Sequence, residues 1–134
     1  MAEILTRDEL VRRTQQDRAE GKTVALAGGA FDLLHTGHIR YLESAAREAD
    51  VLVVAVADDA SVCGRGDEGR PIMPEEDRAE LVAALRCVDY VVIVPEPGVG
   101  PLLEVLHPHV HCRGFDDTAG SKATSGLLAR IARD

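Results

Sequence analysis

The sequence predicts an α/β fold, in which a parallel sheet carries helices on both of its faces. Strand-like and helix-like segments alternate along the chain, which is the pattern of successive βα units. The apolar run over residues 51–56 is continuous, as expected of a parallel strand that is buried on both faces. With 134 residues, 46% of them apolar, the chain is long enough for one domain with a hydrophobic core.

We expect a single domain over residues 1–134, with an N-terminal helix within 1–21, a core over 22–117 and a short C-terminal segment over 118–134. Thr6 and Glu9 have the spacing of a capping box, which predicts that the first helix begins there.

Residues 23–27 are predicted to form the first strand. An amphipathic helix that begins near Thr36 is predicted to follow it. Further strands are predicted over residues 51–56, 90–94 and 110–112.

Three more helices are predicted in the second half of the chain. One begins at Pro74, which suits a first helical position, and the next covers residues 101–106. The buried side of the Pro74 helix is predicted to consist of Leu81, Val82 and Leu85. The last helix is predicted to begin at Thr124 and Ser125 and to run through Leu127, Leu128 and Ile131.

Composition excludes several classes of function. A net charge of −8 argues against non-specific nucleic-acid binding, which needs a basic face. No apolar run approaches the roughly 20 residues of a membrane span, and the first residues lack the features of a signal peptide, so we expect a cytoplasmic protein that contacts no membrane. The scattered cysteines do not have the spacing of a zinc site or a disulfide framework; they are Cys63, Cys87 and Cys112.

The chemistry is concentrated between the first strand and the helix that follows it. Gly28 and Gly29 allow the backbone to approach a ligand closely. His35 and His38 are three residues apart, so they share a face at the start of the predicted helix, where free N–H groups and the helix dipole favour anions. Two imidazoles at that position suit a nucleotide phosphate.

Other polar residues have two interpretations each. Asp58 and Asp59 follow a strand, where they would either meet a ribose or a metal or cap a short helical turn. Arg65 and Arg70 lie in a glycine-rich loop that is either a lid over phosphates or a solvated surface loop. A metal site formed by the histidines near the fourth strand is disfavoured because Pro108 breaks their regular spacing.

The segment from His35 to His38, His-Thr-Gly-His, is similar to the HxGH signature of the cytidylyltransferase-like nucleotidyltransferases. The longer stretch over residues 31–42 looks most like the adenylyltransferase domain of ADP-heptose synthases, and residues 69–72, 75–78 and 88–92 match further parts of that pattern. The resemblance implies the nucleotidyltransferase form of the Rossmann-like sheet, with strand order 3-2-1-4-5. It also implies transfer of AMP from ATP, with Mg²⁺, to a sugar phosphate of the heptose 1-phosphate type, with release of pyrophosphate.

Site residues follow from the resemblance by position. The catalytic residues implied are His35, His38 and Arg78. The nucleotide-binding residues implied are Gly28, Gly29, Ala30, Phe31, His35, Gly37, His38, Arg113, Gly114, Asp116, Thr124 and Ser125. The substrate-binding residues implied are Asp32, Asp59 and Arg70. No protein-bound metal is implied, and the expected assembly is a homodimer whose ligands are ATP and a phosphorylated acceptor.

The sequence also departs from the pattern of that family. Ala27 to Ala30 replace a Thr-Asn-Gly-Cys segment, and Ala57 replaces an asparagine. Only residues 118–123 separate Asp117 from the predicted last helix, so a reduced C-terminal region without the usual fifth strand is expected. Three alternatives therefore stay open: a cytidylyltransferase acting on glycerol 3-phosphate or a similar alcohol phosphate, an adenylyltransferase that makes FAD, and a nucleotide-binding protein without catalysis.

Overall fold

A computed structural model describes the backbone of residues 1–64, 69–95, 99–114 and 127–132, and the side chains of residues 1–64, 69–95 and 100–112. The elements in chain order are β1 (Glu3–Ile4), α1 (Arg7–Ala19), β2 (Val24–Gly29), α2 (Thr36–Ala46), β3 (Val51–Ala57), α3 (Asp59–Cys63), α4 (Glu75–Ala83), β4 (Tyr90–Val94), α5 (Val99–Leu106), β5 (Val110–Gly114) and β6 (Leu127–Ala132).

The strands form one sheet in the order β1-β4-β3-β2-β5-β6. All neighbours pair in parallel except β5 and β6, which are antiparallel. The four strands predicted from the sequence therefore lie in the order third, second, first, fourth, which confirms the α/β class and the order expected for them. β1 adds one more strand to the sheet, at the edge next to β4.

Apolar residues of the central strands alternate between two clusters, one on each face of the sheet. Leu52, Val54 and Val56 of β3 pack with residues of α2 and α4. Val51, Val53 and Ala55 of the same strand pack with residues of α1 and α5. The continuous apolar run predicted this double burial, because successive side chains of a strand point to opposite faces.

Helix starts follow local sequence signals. Thr6 caps α1, accepts a hydrogen bond from the N–H of Glu9 and donates its own N–H to the Glu9 carboxylate, which confirms the predicted capping box. Asp58 caps α3 by accepting the N–H of Ser61 at 2.9 Å. Pro74 is the N-cap residue of α4 and precedes its first helical residue by one position.

Two predictions about secondary structure and burial were wrong. The last helix, predicted to include Leu127, Leu128 and Ile131, is instead the strand β6, which pairs with β5, so the fifth strand that was expected to be missing is present. An antiparallel partner satisfies the outer edge of β5 and needs no crossover helix, so pairing outweighs local helix propensity. Leu81 was predicted to be buried and is 43% exposed, because the buried side of α4 is formed by Arg78, Ala79, Val82 and Ala83.

In the part of the chain that the structure describes, no helix combines the length and apolar composition needed to cross a bilayer.

Ionisation of Tyr90 should destabilise the fold at high pH. Its hydroxyl donates to Asp17 at 2.8 Å, and burial together with that carboxylate raises the pKa of Tyr90 to about 12. An unfolded tyrosine has a pKa of about 10. The stabilisation is therefore complete below that pH and is lost as the pH rises through the folded pKa.

The measurement is urea unfolding as a function of pH, combined with titration of tyrosinate by its absorbance. The absorbance is simple to interpret because the chain has two tyrosines and no tryptophan. Tyr90→Phe is the control and should lose less stability over the same pH range. Equal losses of unfolding free energy in the wild type and in Tyr90→Phe would contradict the role of Tyr90 ionisation.

Candidate active site

The carboxyl ends of the parallel strands define the edge at which those predicted site residues lie that the structure describes. From β2 the chain proceeds to β3 and β4 on one side, and it then returns to β5 on the other side of β2. The topological switch point, where open α/β sheets bind ligands, therefore lies between β2 and β5. Gly28 and Gly29 end β2 at this point, and the backbone of Arg113 and Gly114 ends β5 beside them.

His35 and His38 lie together at the start of α2, as predicted. His35 is the N-cap residue, and the two imidazole rings are stacked with centroids 3.9 Å apart. His35 Nδ1 accepts the N–H of Gly37 at 3.0 Å, and His38 Nδ1 accepts the N–H of His35 at 3.3 Å. Since both Nδ1 atoms accept, each neutral ring carries its proton on Nε2, which can donate to a phosphate oxygen.

Phe31 supports this pair from below. Its ring is buried and meets His38 edge-on, with centroids 5.4 Å apart. Its φ of 53° lies in the left-handed region, which a bulky residue seldom adopts. A Cβ on Gly29 would lie 3.0 Å from Cε2 and Cζ of Phe31, so the ring occupies the space that the glycine leaves. Gly29 is therefore required by the packing of Phe31.

Asp32 holds the loop before α4 against the end of β2. It is 9% exposed, its Oδ2 accepts Arg70 Nη1 at 2.9 Å, and its carboxylate also accepts the N–H groups of Ile72 and Met73. Burial acts to raise the pKa of Asp32, but these hydrogen bonds outweigh it and lower that pKa overall. Asp32 and Arg70, both predicted to bind substrate, thus form an ion pair with each other.

Arg78 is fully buried beneath the same edge. Its Nη1 donates to the carbonyl oxygens of Ala30 and Ala57 at 2.7 Å, and its Nε donates to that of Met73 at 2.9 Å. Its Nη2 donates to Asp59 Oδ1 at 2.7 Å. The guanidinium therefore joins the loop after β2, the end of β3 and the loop before α4. With no solvent exposure, it would need a local rearrangement to reach a triphosphate.

Several predicted residues lie elsewhere or outside the described residues. Asp116, Thr124, Ser125 and Arg65 fall outside the described ranges, as does the side chain of Arg113. Among the described residues, no group of three His, Cys, Asp or Glu side chains is arranged to hold a metal ion. His109 Nδ1 accepts the N–H of Val24 at 2.9 Å and so helps to satisfy the start of β2.

Sequence reasoning missed Tyr41, Glu75 and the backbone groups that surround Arg78. Glu75 Oε1 accepts the N–H of Asp59 at 2.8 Å and so satisfies the start of α3. Tyr41 is buried on α2, and its hydroxyl reaches the ends of β2 and β5. Its position one turn after His38 was the available signal, since residues three apart share a helix face.

Replacing Arg78 should destabilise the whole edge of the sheet. Arg78→Met leaves three carbonyl oxygens and Asp59 without their donor, and we expect a loss of about 3–5 kcal/mol in the free energy of unfolding. Urea unfolding is the measurement. The control is Arg40→Met on the exposed face of α2, which should change that free energy by less than about 0.5 kcal/mol. Similar midpoints for the two variants would refute the role of Arg78.

Comparisons with known proteins agree with this geometry. Over 117 residues, which are 87% of this chain, the sequence is 41% identical to the Bifunctional protein HldE of Pelobacter propionicus and 43% identical to that of Geobacter metallireducens. Each match covers 24% of the relative, so the chain spans about a quarter of the length of these curated relatives.

A solved structure is also similar. The crystal structure of the lipopolysaccharide core biosynthesis protein from Thermoplasma volcanium superimposes with a TM-score of 0.62 at 34% sequence identity, over 66% of this chain and 71% of that chain. The family described as cytidylyltransferase-like matches residues 26–121, which include the histidine pair, Arg78 and all strand ends of the site. These matches support a nucleotidyltransferase, and the chain belongs to the cytidylyltransferase-like family.

Proposed function

We propose that this chain is an adenylyltransferase that transfers AMP from ATP to a sugar phosphate of the heptose 1-phosphate type and releases pyrophosphate. The observation that carries the proposal is the stacked histidine pair at the start of α2, in which both Nδ1 atoms accept backbone N–H groups. The similarity to proteins named HldE and the resemblance of residues 31–42 to heptose adenylyltransferases favour ATP and a sugar phosphate.

The first turn of α2 supports an anion at this position. It contains no acidic side chain, whereas α1, α3 and α4 each begin with acidic residues. The positive end of the helix dipole is therefore not neutralised by a carboxylate in that turn, and a phosphate would be stabilised there. Gly28, near the end of β2, has no side chain that would keep a phosphate from the backbone.

In the reaction, a phosphate oxygen of the acceptor attacks the α-phosphorus of ATP in line. The new P–O bond forms as the bond to the β-phosphate bridging oxygen breaks, and pyrophosphate leaves with the electron pair. His35 and His38 donate hydrogen bonds to the oxygens on which negative charge accumulates. The acceptor phosphate is already ionised at neutral pH, so the step needs no general base.

Mg²⁺ enters this scheme as part of the ATP substrate. Two described carboxylates near the strand ends, Asp32 and Asp59, are both paired with arginines. This arrangement fits a metal that is held mainly by substrate phosphates, as is usual for Mg²⁺ with nucleotides. Arg78 and Asp32 then act as positioning residues, since their contacts shape the loops around the nucleotide.

A cytidylyltransferase is the second candidate, because the family described as cytidylyltransferase-like matches residues 26–121, which include the histidine pair and Arg78. Calorimetric titration with ATP and with CTP in Mg²⁺ separates the two. We expect ATP to bind at least about tenfold more tightly, equivalent to about 1.4 kcal/mol. Tighter binding of CTP would shift the proposal to an alcohol phosphate acceptor, and binding of neither nucleotide would contradict both candidates. We also propose a cytoplasmic homodimer, which sedimentation and fractionation would test.

Removal of either active-site imidazole should reduce catalysis while the fold is retained. We expect His35→Ala and His38→Ala each to lower the rate of pyrophosphate release by about 100-fold or more, because each removes one donor to the developing charge. The matched control is His107→Asn, since His107 is exposed, lies before β5 and has a φ of 49° that asparagine tolerates. An unchanged rate in the His35 variant would exclude its catalytic role.

A further inference from the structure

Tyr41 is a buried tyrosine whose hydroxyl lies at the point where β2 and β5 separate. The side chain is 3% exposed and extends from α2 to the carbonyl oxygens of Gly28 and Cys112, at 3.2 Å and 3.1 Å from its hydroxyl. One carbonyl belongs to β2 and the other to β5. The hydroxyl therefore bridges two strands and the helix that carries the histidine pair.

The pairing of β2 with β5 ends at the residues that the Tyr41 hydroxyl contacts. β2 and β5 are registered over three residue pairs, the last of which is Ala27 with Cys112, whereas β2 and β3 are registered over six. Beyond Ala27, the residues of β2 face the ligand-binding edge at the topological switch point. Tyr41 supplies a side-chain contact from Cys112, in the last registered pair, to Gly28, the first residue of β2 beyond that pair.

The geometry indicates a hydroxyl shared between the two acceptors. A tyrosine has one O–H donor, and both distances exceed the usual 2.7–2.8 Å of an O–H···O hydrogen bond. A single proton shared by two carbonyls draws both toward the same point. The distance between the ends of the strands is then set by the reach of one rigid phenol.

We propose that Tyr41 is a positioning residue that fixes the spacing of the carboxyl ends of β2 and β5, and thereby the width of the crevice that receives the nucleotide. The ligand in this statement rests on the proposed function. The residues that follow the two carbonyls support the proposal. Gly28 leads directly into Gly29 and the turn at Phe31, and Cys112 leads into the last residues of β5.

Tyr41 also couples the crevice to the histidines. It lies one turn after His38 on α2, and both side chains are buried. Anchoring the hydroxyl to Gly28 and Cys112 fixes the start of α2 relative to both strand ends. The hydroxyl of Tyr41 thus fixes the imidazoles and the backbone on both sides of the crevice relative to one another.

The chain offers a matched control in its other tyrosine. Tyr90 also donates its hydroxyl from within the fold, to Asp17, but it begins β4 at the amino ends of the strands. Tyr90→Phe and Tyr41→Phe each remove one hydrogen-bonded hydroxyl. They differ in distance from the ligand-binding edge, so a general loss of stability affects both, whereas a loss of crevice geometry affects only Tyr41→Phe.

The experiment compares the two variants with the wild type at a temperature where circular dichroism shows all three folded. Calorimetry measures the dissociation constant of ATP in Mg²⁺, and hydrogen–deuterium exchange measures peptides that cover residues 26–32 and 110–114. We expect Tyr41→Phe to weaken ATP binding by about five- to tenfold. It should also accelerate exchange in both peptides, whereas Tyr90→Phe should do neither.

Each outcome decides the proposal. The proposal is overturned if Tyr41→Phe binds ATP as tightly as the wild type. It is also overturned if the exchange rates of Tyr41→Phe at both strand ends equal those of Tyr90→Phe. If the wild type binds no nucleotide, the proposed function fails, and the exchange data alone then decide whether Tyr41 fixes the strand ends. In that case, faster hydrogen–deuterium exchange in Tyr41→Phe but not in Tyr90→Phe supports the positioning role.

Discussion

The buried guanidinium of Arg78 is the contact on which the ligand-binding edge of this sheet depends. A charge without solvent exposure is tolerated only when its donors are satisfied. Here four oxygens satisfy it, three of them from the backbone of separate segments. Its partner Asp59 is itself partly exposed, so much of the compensation comes from carbonyl dipoles. These contacts therefore restrict the conformations of three segments: the loop after β2, the end of β3 and the loop before α4.

A second set of contacts depends on the space left by one glycine. Phe31 fills the position that a side chain at Gly29 would take, and its ring then supports His38, on which His35 stacks. Together with the hydrogen bonds of Asp32 to the loop before α4, this packing holds Phe31 in its left-handed conformation. The orientation of the two imidazole rings thus derives from core packing as much as from the helix start.

The sequence contained enough to predict the central strands, the helix starts and the histidine pair, because each has a local signal of periodicity, capping or spacing. It could not predict the contacts of Arg78, since its acceptors are backbone atoms far apart in the chain. The same holds for the ion pair of Asp32 with Arg70, 38 residues away. β6 was missed because its pairing with β5 is also non-local, and local propensity favoured a helix.

The location of the proposed anion site at one helix start has a consequence for the kinetics of nucleotide binding. The chain carries a net charge of −8, so its long-range field repels a nucleotide polyanion, whereas the start of α2 attracts it only within the first turn. At physiological ionic strength the repulsion is screened beyond about 8 Å, and the local attraction, which acts at contact, is affected less. Encounter with the nucleotide is therefore not steered from a distance, and salt should favour association up to the concentration at which anions compete for the helix start.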